Sequence, residues 1–283
     1  MVGYDRSPGG KAAAAWALDE AARTSAPVEF FFAYEWPIWA PATNTMPVVS
    51  VWPDGETDRA IREFLDGAVA SAKRTHPGVP THVSTVNNGA ALTLIDRSHE
   101  ARLIVLGARG HSAVAGLLGS VSVAVSAHAR CPVIVVRGET SAQAPIVVGI
   151  DDSPQAPAVL AFAVEQAAAR AVPLRVIRAW KPVSGIWEDS PIVTRTITQT
   201  ERQPFDDLVA SWREKYPQVD ISAEAVLDHP AGALAHASKT AQLLVVGTRC
   251  RGAVRGMLLG SVSQHVLRQS ACTVAVVHET AQA

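Results

Sequence analysis

The sequence predicts an α/β protein built as two tandem doubly wound domains, each with a five-stranded parallel sheet, and three observations carry that prediction. First, the chain repeats itself. Val2-Gly3-Tyr4-Asp5-Arg6-Ser7-Pro8 returns 146 residues later as Val148-Gly149-Ile150-Asp151-Asp152-Ser153-Pro154. Leu103-Ile104-Val105-Leu106-Gly107-Ala108-Arg109 returns after 140 residues as Leu243-Leu244-Val245-Val246-Gly247-Thr248-Arg249, and Leu117-Leu118-Gly119-Ser120-Val121-Ser122 returns after 141 as Leu258-Leu259-Gly260-Ser261-Val262-Ser263. A period of that length is a domain rather than a solenoid unit, and it divides the chain at 1–140 and 145–283. Second, short apolar runs alternate with longer segments of helical period, and strands separated by helices pair through crossovers rather than hairpins. Third, the fourth and fifth apolar runs of each half are almost unbroken Val, Ile and Leu, the pattern of strands buried on both faces.

The elements are clearest in the second half. In order they are strand 146–150, helix 154–170, strand 174–180, helix 197–216, strand 221–226, helix 230–240, strand 243–247, helix 261–269 and strand 273–277. Ser7-Pro8 and Ser153-Pro154 each offer a helix cap followed by proline at the first helical position. Trp16 and Phe162 hold the same place in those helices, which points to packing on the sheet. Strand five of each half, at 133–136 and 273–277, is an apolar edge that invites aggregation if left unpaired. Pairing between the two halves, between chains, or both is therefore expected, giving an intrachain pseudo-dimer or a homodimer. The polar stretch 138–145 reads as the linker.

Two irregularities break the repeat. The first strand of half one is about three residues shorter than its counterpart, which enters through Pro145-Ile146-Val147-Val148. The segment 36–56 carries three tryptophans (Trp36, Trp39, Trp52) and four prolines (Pro37, Pro41, Pro47, Pro53), and 181–195 is its equivalent in half two. Long irregular segments often serve as lids or contact surfaces.

Composition narrows the function. A chain of 283 residues, 48% hydrophobic, supports two ordinary cores. A formal net charge of −1 without a basic block argues against nucleic acid or an anionic membrane as the main partner and favours a small ligand. Cys131, Cys250 and Cys272 form neither a CxxC pair nor an even framework, which suits a reducing compartment, and Cys131 and Cys272 occupy matching places as buried apolar residues. No apolar run approaches the ~20 residues of a membrane helix, and the N-terminus lacks a signal pattern, so the expected location is the cytoplasm. Nine histidines include no HExxH and no zinc-like Cys/His spacing, so no protein-built metal site is expected.

Ligands of open parallel sheets bind beyond the carboxyl ends of the strands, where strand order reverses. Two segments of each half should meet there. Asp5 and Asp151 end strand one, where a carboxylate can accept hydrogen bonds from an adenosine group or, alternatively, cap the next helix. After strand four comes Gly107-Ala108-Arg109-Gly110, eight further residues, and then Gly119-Ser120-Val121-Ser122. Glycines allow close backbone approach to an anion, and a helix starting at Ser120 presents free N–H groups to phosphate. The pattern is neither a P-loop nor the dinucleotide fingerprint. Arg109, Arg249, Arg251 and Arg255 either neutralise phosphate or are solvated loop residues, and His111 shares that ambiguity.

These residues resemble the universal stress protein family in its tandem ATP-binding form, over essentially the entire chain. The resemblance rests on the aspartate after strand one and on a Gly-x2-Gly-x9-Gly-[Ser/Thr] loop. It implies an adenine nucleotide alpha-hydrolase-like fold, with ATP, accompanied by magnesium, as the cofactor. The contacts it implies are Asp5, Ala33, Gly107, Arg109, Gly110, Gly119, Ser120, Val121 and Ser122 in half one. In half two they are Asp151, Ala179, Gly247, Arg249, Gly260, Ser261, Val262 and Ser263. Each half departs from the loop pattern: half one has eight residues before Gly119 where half two keeps Met257, and half two has Cys250 in place of the second glycine. The resemblance implies a regulatory role in stress adaptation or growth control, through a protein partner that the sequence leaves unknown. A slow ATPase and a nucleotide-independent dimeric scaffold are the alternatives, and no residue stands out as a water-positioning group.

Overall fold

The computed structural model describes residues 1–34, 55–110, 118–138, 140–181, 196–248 and 259–278. Half one runs β1 (Val2–Gly3), α1 (Pro8–Thr24), β2 (Val28–Ala33), α2 (Gly55–Thr75), β3 (Thr81–Val86), α3 (Ala90–Arg97), β4 (Ile104–Gly107), α4 (Ser120–His128) and β5 (Val133–Val136). Half two repeats the order as β6 (Ile146–Gly149), α5 (Ala156–Arg170), β7 (Leu174–Trp180), α6 (Gln199–Lys215), β8 (Ile221–Leu227), α7 (Pro230–Ala237), β9 (Leu243–Gly247), α8 (Ser261–Gln269) and β10 (Thr273–Val277).

The strands form one sheet in the order β3-β2-β1-β4-β5-β10-β9-β6-β7-β8. Pairing within each half is parallel, as the crossover helices require. The halves join through β5 and β10, which pair antiparallel with Val135 opposite Val274 and Val133 opposite Val276. Of the pairings open to the strand-five edges, the one within the chain is formed. Each half is doubly wound, and strand order reverses between β1 and β4 in half one and between β6 and β9 in half two.

Side-chain alternation splits the core into two layers. Val105 and Val245 face a cluster shared with α1, α2, α5 and α6, whereas Leu106 and Val246 face one shared with α3, α4, α7 and α8. Both clusters contain residues of both halves. Ile104, Val133, Ile134 and Val135 are fully buried, each contributing roughly 1.5–3 kcal/mol. Trp16 and Phe162 pack against the first cluster as expected, although only partly buried, and the Arg170 guanidinium lies 5.5 Å from the Trp16 ring centre.

Helix ends correct several sequence expectations. Ser7 caps α1 as anticipated, its Oγ accepting from Gly10 N at 2.9 Å. Ser153 does not do the same: α5 begins at Ala156 and its N-cap is Gln155, although Ser153 N donates to Asp151 Oδ1 at 3.0 Å just as Ser7 N does to Asp5 Oδ1. Gly10 explains the difference. A Cβ there would lie 2.7 Å from the Asp5 carbonyl oxygen, so the tight first turn of α1 needs the glycine that half two replaces with Ala156. The helix expected over 197–216 is Gln199–Lys215, opened by a capping box between Thr198 and Glu201. The one expected over 230–240 ends at Ala237 and continues as a 3₁₀ turn, Ser238–Thr240. β1 has 2 residues against 4 in β6, a smaller shortfall than expected. The Trp- and Pro-rich stretch lies outside the described residues except where α2 begins at Gly55, and so does 182–195.

Helices α1 and α5 meet through a buried polar cluster. Glu20 accepts from Arg170 Nη2 at 2.8 Å, Gln166 Nε2 at 2.9 Å and Arg23 Nη2 at 3.1 Å. Burial opposes ionisation of Glu20, but Arg170, Gln166 and Arg23 together hold its carboxyl below the ordinary 4.5. Its stabilisation is therefore complete above that value and is lost as pH falls through the lower folded one. Glu20→Gln, which strands a buried Arg170, is expected to cost about 3 kcal/mol at neutral pH. Urea melts at pH 7 and near the acid limit of folding should show that gap shrinking with acidity; a constant gap would refute the ionic account.

Cys131 and Cys272 are both buried, as their matching positions suggested, and burial pushes the Cys131 thiol up to about 11. Neither is expected to react with a thiol reagent on the native protein at neutral pH, as peptide mass spectrometry can check.

Candidate functional site

The two strand-order reversals each open a cavity at the carboxyl ends of the strands. Cavity one, of about 470 Å³, lies beyond β1 and β4 and is walled by Asp5, Ala33, Gly107, Arg109, Gly110, Gly119, Ser120, Val121 and Ser122. Cavity two, of about 330 Å³, lies beyond β6 and β9, with Asp151, Ala179, Gly247, Ser261, Val262 and Ser263 on its wall. The structure thus brings together all the residues singled out in half one. In half two it does so for every described one except Gly260, which is the N-cap of α8. Arg249, Cys250, Arg251, Arg255, Met257 and His111 lie outside the described residues.

Each glycine loop is fastened at its base. Gly119 N donates to Ala108 O at 2.9 Å, and Gly260 N to Thr248 O at 2.6 Å. Ser122 Oγ donates to Gly107 O at 2.8 Å and Ser263 Oγ to Gly247 O at 2.6 Å. These bonds tie the first turn of α4 or α8 to the end of the preceding strand. The N-caps Gly119 and Gly260 make no side-chain cap bond. The first-turn N–H groups therefore have no partner within the helix and receive none from the cap, the arrangement that receives anions elsewhere. With their protons engaged on the strand, Ser122 and Ser263 keep an oxygen that accepts, which leaves the backbone N–H groups and the side chains of Ser120, Ser261 and Arg109 as donors to an anion.

Of the two roles that the sequence left open for Asp5, the structure shows the one at the helix start, where it supports the Ser7 cap. Its Oδ1 accepts from Ser7 N at 3.0 Å and from Ser7 Oγ, which orders the cap of α1. Its Oδ2 faces Gly110, where a Cβ would approach to 2.9 Å. One oxygen is structural and the other is turned to the loop. Burial, and behind it the Asp5 carboxylate, raises the neighbouring Tyr4 phenol above its ordinary value.

The two sites differ in how the end of the fourth strand meets the start of the first helix of its half. In half one the contact is backbone on backbone: a Cβ on Gly107 would lie 2.6 Å from Gly9 O and 2.8 Å from Gly9 Cα. In half two Gln155 replaces Gly9, and its buried Oε1 accepts from Thr248 Oγ1 at 3.3 Å. Sequence reasoning missed Gly9, Gly10 and Gln155, although the change from Pro8-Gly9-Gly10 to Pro154-Gln155-Ala156 was visible in the aligned repeat. It also missed the apolar floors, Phe31, Leu94 and Leu106 in cavity one and Ile177, Leu234 and Val246 in cavity two, together with Lys181 and His229 at the second. Strand alternation and the repeat offset hold the signal for the floors.

Doubly wound sheets carrying a glycine loop and an uncapped helix after strand four, twice over, define a tandem α/β protein with paired strand-end cavities. The Universal stress protein family profile matches the chain twice, over residues 1–137 and 144–278. Two universal stress proteins of Mycobacterium tuberculosis are each 34% identical to it, over 293 residues (99% of this chain, 97% of that protein) and 290 residues (99% and 96%). Another from Mycolicibacterium smegmatis is 32% identical over 299 residues, covering 98% of this chain and 96% of that one. A solved universal stress protein from Archaeoglobus fulgidus shares the fold with a TM-score of 0.74 at 20% identity, covering 98% of this chain and 97% of that one. The chain belongs to the universal stress protein family, with two tandem domains.

The backbone contact in half one makes Gly107→Ala and Gly247→Ala a matched pair. Gly107→Ala must displace the rigid first turn of α1 and is expected to cost roughly 1–3 kcal/mol. At Gly247 an added Cβ meets side-chain atoms only, Val159 Cγ2 at 3.2 Å and Gln155 Oε1 at 3.3 Å, which can turn aside. Gly247→Ala should therefore lower the melting temperature less, and an equal or larger loss would show that the two loops are attached alike.

Proposed function

We propose that this protein binds adenine nucleotide, ATP with its magnesium, in the two strand-end cavities and acts in the cytoplasm as a regulator of stress adaptation or growth. The observation that carries this reading is the pairing of opposite chemistries along one cavity. Asp5 Oδ2, an acceptor suited to the hydroxyl and amino donors of an adenosine group, lies at the end of β1. The uncapped first turn of α4, a donor array suited to phosphate, lies after β4. Each N–H bond to a charged phosphate contributes roughly 1.5–3 kcal/mol, more than the ~0.3–1 kcal/mol of the helix dipole alone. The apolar floor of Phe31, Leu94 and Leu106 suits the flat, weakly solvated face of a purine. Family membership supports the regulatory role. Magnesium would arrive on the phosphates, as it commonly does in nucleotide sites.

The nucleotide-independent scaffold is less favoured, because the strand-five edges that motivated pairing between chains pair with each other. The test is to denature freshly purified protein and quantify released nucleotide by chromatography, with Asp5→Ala and Asp151→Ala measured separately. Retained or added ATP should be lost from one cavity in each variant. A wild-type protein that neither carries ATP nor takes it up at millimolar concentration would sink the nucleotide reading.

A further inference from the structure

The two ligand helices α4 and α8 begin at the cavities, but both end against the opposite half. At the C-terminus of α8, in half two, Arg137 Nη1 donates to Arg268 O and to Ser270 O, each at 3.1 Å, and Nη2 donates to Leu267 O. Arg137 directly follows β5 of half one. At the C-terminus of α4, in half one, His278 Nε2 lies 3.0 Å from Ser126 O, and His278 directly follows β10 of half two. A carbonyl oxygen only accepts, so Nε2 carries the proton in this contact. Arg137 and His278 are counterparts 141 residues apart, as are Ser126 and Leu267, the same offset that relates the two glycine loops. A single clasp is therefore built twice, each time across the β5–β10 junction.

We infer that Arg137 is a positioning residue for the cavity of the other half, that His278 is its weaker counterpart, and that neither ligand helix is fully placed by its own domain. The consequence for ligand binding rests on the nucleotide reading above. The last turn of a helix leaves its carbonyls without internal partners, and the clasps answer that need with a side chain from outside the domain. Helix α8 has 9 residues and so spans only about 13 Å, short enough to move as a rod: a shift at Leu267 becomes a shift at Ser261. The guanidinium charge also offsets the negative end of the helix, leaving its positive N-terminus to face the ligand.

The clasps are unequal. Arg137 brings a permanent charge and contacts to three carbonyls, whereas His278 makes one side-chain hydrogen bond; Arg137 Nε and His278 Nδ1 are each buried without a partner among the described residues. Cavity two should therefore depend on the opposite half more than cavity one does.

The full-length protein allows a direct test, with ATP titrated calorimetrically on an Asp5→Ala background to report cavity two and on Asp151→Ala to report cavity one. Arg137→Met is expected to weaken ATP at cavity two about fivefold or more while cavity one stays within about twofold. His278→Met should show the mirror image with a smaller change, and Arg137→Lys should recover part of the loss. Amide hydrogen exchange without ligand supplies an independent reading. Arg137→Met should speed exchange at residues 261–263 and leave 120–122 unchanged. Equal losses at both cavities, or exchange that rises alike in both helices or in neither, would overturn the inference. Helix-selective exchange in a protein that binds no ATP would support the clasp and sink the nucleotide reading instead.

Discussion

The antiparallel pairing of β5 with β10 is the contact on which the rest of the molecule depends. Without it each half would present a largely apolar edge, Val-Ile-Val-Val in β5 and Thr-Val-Ala-Val-Val in β10, to solvent, a template for uncontrolled association. With it, two five-stranded sheets become one, the hydrophobic layers on both faces run through both halves, and α1 and α5 come close enough to bury Glu20 against Arg170. The same junction brings Arg137 to the end of α8 and His278 to the end of α4, each in the opposite half. A duplication that could have produced two beads on a string has produced one body with two cavities.

Within that body the cavities are related but not equivalent. Both place an aspartate at the end of the first strand and an uncapped helix after the fourth. They differ where the end of the fourth strand meets the start of the first helix, α1 or α5. In half one, glycine backbone packs on glycine backbone and fixes the turn that lets Ser7 cap α1. In half two, a side-chain hydrogen bond from Thr248 to Gln155 does the joining and Ser153 is released from capping. Backbone contact of this kind leaves little room to adjust, whereas a side-chain bridge can shift by a rotamer, so duplication has allowed one copy to tighten and the other to loosen.

Much of this was legible in the residues. The alternation of apolar runs with helical segments located every strand of half two to within a residue, because burial on both faces leaves the fourth and fifth strands almost no polar positions. The glycine and serine wall of cavity one was legible because its pattern follows the fourth strand in both halves and pairs with an aspartate after the first, whereas Ala33 came only through the family resemblance. Boundaries were less so: Ser153-Pro154 carries the same cap signal as Ser7-Pro8, and only the steric demand at Gly10 separates their outcomes.

The sequence by itself determined the duplication, the doubly wound class and the residues at the end of the first strand and after the fourth, since these follow from periodicity and from what backbone geometry each residue type permits. Only the tertiary structure decided which partner the strand-five edges would take, which of the two serines would cap, and where Arg137 and His278 would reach. The first and last of these depend on atoms more than a hundred residues apart in the chain, such as Arg137 and Leu267, and no local pattern encodes the distance between them, while the cap turns on the packing of Gly10 against Asp5.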